Sequence, residues 1–259
     1  MKKTCWIIGA SHGIGEALAH KFYDENYNLV ISARGLESLD LIKEKLLKTH
    51  KKNQNYGKIF TTKLDVSNQE SLQKTLKIIT TQFKKIDLVI FCPALYQPMP
   101  AVNFDLEISK KIIDVNLIGF LNLLHLTIPK MIEKKSGHIA VIASVAGYCG
   151  LPQSFTYGAS KAALINLCEG IYPELNANGI NLSLINPGFV KTRLTEKNNF
   201  KMPFIISPNK AADVIFKGLM KKKFEIHFPK KFTFFLKFLR LLPYPIFFFI
   251  TKKLIKPNA

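Results

Sequence analysis

Short apolar runs of strand length alternate with stretches of helical periodicity along almost the whole of this chain. Thr4–Gly9, Asn28–Ala33, Lys58–Leu64, Ile86–Cys92, His138–Ala143, Ile180–Asn186 and Phe224–Phe228 read as strands. Between them, Gly13–Glu25, Leu36–His50, Gln69–Phe83, roughly Ile108–Lys134, Phe155–Asn176 and Ala211–Lys222 read as helices. Strands that are apolar on both faces must be covered on both faces. A helix between consecutive strands returns the chain to the same end of the sheet and makes the strands parallel, with right-handed crossovers. The pattern therefore predicts an α/β fold: a doubly wound parallel sheet with helices on both sides.

The 259 residues, 47% hydrophobic and 21% charged, suffice for one sizeable core. No internal repeat or low-complexity linker divides them. Residues 1–228 form the expected main domain and 229–259 a basic C-terminal extension. Cys5, Cys92, Cys149 and Cys168 are scattered, with no C-x-x-C pair and no Cys/His cluster at zinc spacing. Free thiols in a reducing, cytoplasmic compartment are expected, with no structural metal. Lys2 and Lys3 precede too short an apolar run for a signal peptide. The formal net charge of +19 favours anionic partners. Residues 217–259 hold eleven basic residues and one acid, Glu225, a net +10. Outside that segment, no aromatic–basic interleaving supports a nucleic-acid binder, and none is expected.

The first strand runs into Gly9-Ala10-Ser11-His12-Gly13-Ile14-Gly15 and then a helix. Glycines let backbone approach a pyrophosphate, and the free N–H groups of the helix start attract it. A turn of this kind also serves structure alone, but its place between strand and helix favours a nucleotide. At the end of strand two, where an acid would accept from a ribose 2′-hydroxyl, stand Ser32, Ala33 and Arg34. A cation beside small polar groups suits a 2′-phosphate, so NADP is favoured over NAD; otherwise Arg34 is a solvated charge at a helix start. His12 could assist when protonated. Asp65, followed by Val66, either accepts from the adenine amino group or caps the next helix.

Tyr157 and Lys161 lie about one helical turn apart, so their side chains leave the same face. An ammonium beside a phenol favours the phenolate, lowering a pKa that starts near ~10. Ser144 is placed to hold a carbonyl or alcohol oxygen against that phenol. Tyr-x-x-x-Lys alone is more often a surface helix pair. Together with Gly9…Gly13-Ile14-Gly15, Asp65, Asn116 and Pro187-Gly188…Thr192, in this order, it resembles the short-chain dehydrogenase/reductase family over about residues 4–225.

The resemblance implies a Rossmann fold of about seven parallel strands and hydride transfer between nicotinamide and a carbonyl or alcohol carbon. It implies Tyr157 as general acid/base, Lys161 on the nicotinamide ribose, and Ser144 orienting substrate oxygen. It implies that Asn116 holds a water linking Lys161 to solvent, unless it is a satisfied core amide. Pro187, Gly188 and Thr192 would meet the nicotinamide carboxamide. Homodimers or homotetramers are usual in the family. Two departures stand out: Phe91-Cys92-Pro93-Ala94 replaces the usual Asn-Asn-Ala-Gly, and Ile8 replaces a Thr. Because those positions normally interact, their joint loss reads as compensated. A non-catalytic NADP-binding regulator on the same fold is the alternative.

Apolar and aromatic residues flank the expected pocket at Leu95-Tyr96, Tyr148–Pro152 and the lid Thr195–Ile206. They favour a lipophilic carbonyl or secondary alcohol, or else pack the lid on the core. In the extension, Phe232, Phe235, Leu236, Leu239 and Leu242 recur at helical spacing, with Lys237 and Arg240 on another face and Pro243 and Pro245 interrupting. The uncharged run Leu241–Thr251 is far short of the ~20 residues that span a bilayer. An in-plane helix at an anionic membrane and a helix pair folded onto its own domain or a dimer partner are both open.

Overall fold

The computed structural model describes residues 2–50 and 56–254. Met1 and Lys256 lie outside the described residues. Seven parallel strands form one sheet in the order β3-β2-β1-β4-β5-β6-β7: Thr4–Ile8, Asn28–Ala33, Ile59–Lys63, Leu88–Phe91, Gly137–Ile142, Ile180–Pro187 and Glu225–Phe228 for β1 to β7. Helices α1 (Gly13–Asp24), α2 (Leu36–Thr49) and α7 (Pro208–Met220) cover one face, where Leu18, Phe22, Leu39 and Ile215 are fully buried. The opposite face carries α3 (Gln69–Phe83), α4 (Leu106–Ile113), α5 (Gly119–Glu133) and α6 (Phe155–Ala177), packed over Trp6, Val89, Phe91 and Ile139. This is the doubly wound Rossmann arrangement. The order reverses between β1 and β4, which pair in register from Cys5↔Leu88 to Ile8↔Phe91. Ligands of such sheets bind beyond the strand ends at that reversal.

The long helix expected over Ile108–Lys134 is interrupted. Asp114–Ile118 forms a π turn between α4 and α5, with Asn116 at its middle. Asn is a poor helix former, and its amide is held here by groups outside the helix. By length and composition Leu106–Glu133 is apolar enough to cross a membrane, with a mean hydropathy of 1.5. In the fold it covers the sheet instead, burying Phe120 and Leu123 completely.

The extension forms two further helices, α8 (Lys230–Leu241) and α9 (Tyr244–Lys252). Leu236, Leu239 and Phe247 pack on Val145 and Cys149, so the extension is seated on the main domain. Two details differ from the sequence reading. Phe235 faces outward, and Pro245 lies within the first turn of α9 rather than between helices. Proline is tolerated there because first-turn N–H groups have no intrahelical acceptor. The four cysteines are unpaired.

Candidate active site

One cavity of about 380 Å³ opens at the reversal of strand order. Gly9, Ser11, His12, Gly13, Ile14, Gly15, Arg34, Asp65, Val66, Ser144, Tyr157, Lys161, Pro187, Gly188 and Thr192 all line it. Residues up to 183 positions apart in the chain thus meet because they follow strand ends or open helices beside them. Asn116 does not line it.

The glycine turn is built by close backbone packing. Gly9 has φ +79°, and a side chain there would press on Pro93 N and Cys92 C at 2.8 and 3.0 Å. The Cys92-Pro93 segment therefore braces the turn with backbone, where the side-chain hydrogen bonds of Asn and Thr are missing. A Cβ on Gly15 would stand 2.2 Å from Gly9 O, closer than any carbon can sit. Gly15→Ala is expected to push the turn open, weakening dinucleotide binding at least about tenfold with a cost of about 1–3 kcal/mol in stability. Fluorescence titration with NADPH and thermal unfolding measure the two effects. His12 precedes helix α1 without a side-chain capping hydrogen bond, and the first helical residues, Gly13, Ile14 and Gly15, line the cavity.

At the end of β2, Arg34 is exposed and makes no hydrogen bond or ion pair with any described residue. Ser32 is not available beside it as expected. Its hydroxyl accepts from Trp6 Nε1 at 2.8 Å, and its carbonyl accepts from Gly9 N and Ala10 N. Asp65 does not cap α3; Asn68 does, accepting from Ser71 N at 3.0 Å. Asp65 Oδ1 instead accepts from Ser67 N and Ser67 Oγ, holding the turn before α3. The cation meeting His12 is Arg193, whose guanidinium donates to His12 Nε2. Nothing in the sequence links these two, which come from opposite rims of the cleft.

Tyr157 and Lys161 occupy the first turns of α6, with Lys161 Nζ 5.6 Å from the centre of the Tyr157 ring. Lys161 is fully buried and donates to Ile142 O at 2.8 Å. Burial pushes its pKa down to about 7. Burial also dominates at Tyr157, pushing the phenol up to about 12 against the pull of a hydrogen bond with Ser144. The downward shift expected from the ammonium does not appear: burial raises the phenol, and among the described residues the only lowering influence on it is Ser144. Ser144 Oγ also accepts from Ala146 N at 3.1 Å, which fixes its rotamer toward the phenol. Cys92 lies near Lys161, and burial raises its thiol to about 12.

Asn116 is completely buried and its amide is already engaged. Oδ1 accepts from Leu95 N at 2.7 Å; Nδ2 donates to Leu95 O and Ser160 Oγ, each at 3.0 Å. Ser160 Oγ donates onward to Tyr157 O at 2.7 Å. Both amide protons are spent, so Asn116 ties the loop after β4 to the turn of α6 that carries Tyr157. Sequence reasoning placed Leu95-Tyr96 on the substrate side but gave Tyr96 no contact. Its ring meets Tyr157 edge-on at 4.9 Å, and its hydroxyl donates to Asn198 Oδ1 on the lid at 2.7 Å.

The sequence profile of the short chain dehydrogenase family matches residues 3–202. This chain belongs to the short-chain dehydrogenase/reductase family. As a short-chain dehydrogenase/reductase it is an oxidoreductase of the NAD(P)-dependent class. An uncharacterized oxidoreductase of Myxococcus xanthus (strain DK1622) is 29% identical over 246 residues, 95% of this chain and 94% of that one. The human dehydrogenase/reductase SDR family member 7 is 32% identical over 194 residues, covering 74% of this chain and 57% of its own. In fold, the chain is similar to a short-chain dehydrogenase from Sphingobium yanoikuyae in complex with NADPH. Their TM-score is 0.77 at 23% identity, covering 87% of each chain. A Burkholderia phymatum short-chain dehydrogenase/reductase in complex with NAD superposes with TM-score 0.78 at 22% identity, covering 87% of this chain and 88% of that one.

Proposed function

We propose that this short-chain dehydrogenase/reductase uses NADP to interconvert an apolar carbonyl compound and its secondary alcohol, with Tyr157 as general acid/base. The reading rests on one observation: the phenol, Ser144 and a buried Lys161 share a single cavity with the glycine turn and Arg34. The residues fit a dinucleotide. An uncapped helix start would offer N–H groups to a pyrophosphate, and the Arg34 guanidinium, unpaired among the described residues, would suit a 2′-phosphate. Arg193 is placed to add positive charge at the turn from the lid side. Pro187, Gly188 and Thr192 would hold the nicotinamide end, and Lys161 its ribose.

When bound, the reduced cofactor supplies the hydride. The chain's own groups handle the oxygen. Ser144 Oγ orients the carbonyl oxygen, and Tyr157 Oη gives it a proton in the reducing direction. Its raised pKa keeps that proton in place through the neutral range. Lys161 has one described acceptor, Ile142 O, and up to three N–H groups. The remaining donors would serve the ribose. Asn116, through Ser160, fixes the turn that carries Tyr157 and acts as a positioning residue. Leu95, Val115 and Leu194 line the cavity and Tyr96 closes it against the lid, which favours lipophilic substrates.

The test is NADPH oxidation against ketones, aldehydes and quinones of graded chain length, with NADH as control. Turnover should favour NADPH and the longer apolar compounds. Arg34→Asp should weaken NADPH about 10–100-fold while sparing NADH, as expected for losing a charge-assisted contact. Equal use of both cofactors by the parent protein, unaltered by Arg34→Asp, would refute the NADP assignment.

A further inference from the structure

The extension has two faces, and only one is used by the fold. Inward, Leu236, Leu239 and Phe247 pack on Val145 and Cys149, and Lys237 donates to Glu225 Oε2. Outward, Phe234, Phe238 and Leu241 stand at i, i+4 and i+7 on α8, a single stripe along the helix. They are 58%, 60% and 80% exposed. On α9, Tyr244 and Phe248 stand four apart, stack at 5.6 Å and are 63% and 50% exposed. Lys231 leads the first stripe and Lys252 ends the second; both are exposed. Lys253 sits over the Phe249 ring at 4.6 Å.

Charge decides what fits this surface. Glu225 is the last acidic residue of the chain. Its carboxylate is already shared by Lys237, Tyr148 and Asn186. Lys231, Arg240, Lys252 and Lys253 make no ion pair with any described residue. A second copy docked through the same face would bring cations against cations with no acid between them. A surface that offers both negative charge and an apolar layer satisfies both halves of the pattern: lysines meet the headgroups while aromatic rings enter the acyl boundary.

We propose that the outward face of α8 and α9 docks on an anionic lipid bilayer. The inward face of the same helices rests on Val145 and Cys149, just after Ser144, so the docked surface lies one helix away from the substrate side. A lipophilic substrate dissolved in that bilayer would have a short path to the cleft. The docking itself does not depend on the redox chemistry, and its failure would leave that chemistry standing.

Co-sedimentation of the full-length protein with phosphatidylcholine vesicles, with and without phosphatidylglycerol, tests this. Binding is expected only with phosphatidylglycerol present and should fall with added salt. Phe238→Ser with Phe248→Ser should lower partitioning at least about tenfold, as loss of two inserted rings implies. NADPH binding and thermal unfolding should not move. Lys231→Glu with Lys252→Glu alters only exposed charge, so it gives an independent arm with the same expected loss. The proposal is overturned if the parent protein stays in the supernatant, or if both variants sediment like the parent. It is also overturned if the protein forms a lipid-free dimer that the same substitutions dissolve.

Discussion

Replacing Tyr157 with Phe is expected to lower kcat/KM for carbonyl reduction by about 10²–10⁴-fold, the usual worth of a general acid, with NADPH affinity unchanged. The substitution removes one hydroxyl. It keeps the ring that meets Tyr96 edge-on at 4.9 Å, and it leaves the Asn116–Ser160 brace to the backbone of residue 157 intact. No neighbour replaces the lost proton donor. Ser144 is a neutral hydroxyl, and Lys161 donates to Ile142 O with its other donors assigned to the ribose. The pH dependence follows from the same geometry. Burial pushes Tyr157 up to about 12, so the acid form persists through the neutral range and reduction keeps its donor. Alcohol oxidation needs the phenolate. Below the phenol's pKa its rate should therefore climb with pH, by up to about tenfold per unit. Steady-state kinetics in both directions check the pair of effects. Turnover of Tyr157→Phe within about tenfold of the parent would remove Tyr157 from its role as the acid.

The sheet and its helices were legible because apolar strand runs and helical periodicity are local signals. Each predicted element appears, with ends that coincide or shift by at most three residues. The break at Asp114–Ile118 was not legible as a break. Asn116 stood out as a poor helix former, but the groups that take up its amide, Leu95 and Ser160, come from segments remote in sequence. The same limit explains Ser32. Beside Arg34 it reads as a polar group free for a phosphate, yet Trp6, 26 residues earlier, donates to it. It also explains the phenol. Spacing places an ammonium next to Tyr157, but only the fold shows that both groups are buried and that burial sets the direction of each shift, up for the phenol and down for the ammonium. In the extension, periodicity identified an apolar face and left its destination open. The structure divides those residues, sending Leu236 and Leu239 inward and Phe235 outward.

Lys161 also carries a stability signature large enough to measure. It is fully buried with one carbonyl acceptor and no described carboxylate partner, and burial lowers its pKa to about 7 from an ordinary 10.5. Between those values the unfolded chain binds a proton at this site that the folded chain does not. Stability contributed by this group is therefore complete above the unfolded pKa and is lost as pH falls through the folded one. His138, lowered by burial to about 4, acts at more acid pH and leaves this window clear. Lys230, also lowered by burial, titrates in the same direction, so wild type alone does not isolate Lys161. The comparison with Lys161→Met does, since Met fills a similar volume without a charge. Between about pH 7 and about pH 9 wild type should gain ~2 kcal/mol relative to Lys161→Met in denaturant unfolding. A parallel pH dependence in the two proteins would mean that Lys161 stays charged when buried. The ammonium would then need an acceptor set richer than Ile142 O, and the donors assigned to the ribose would already be taken.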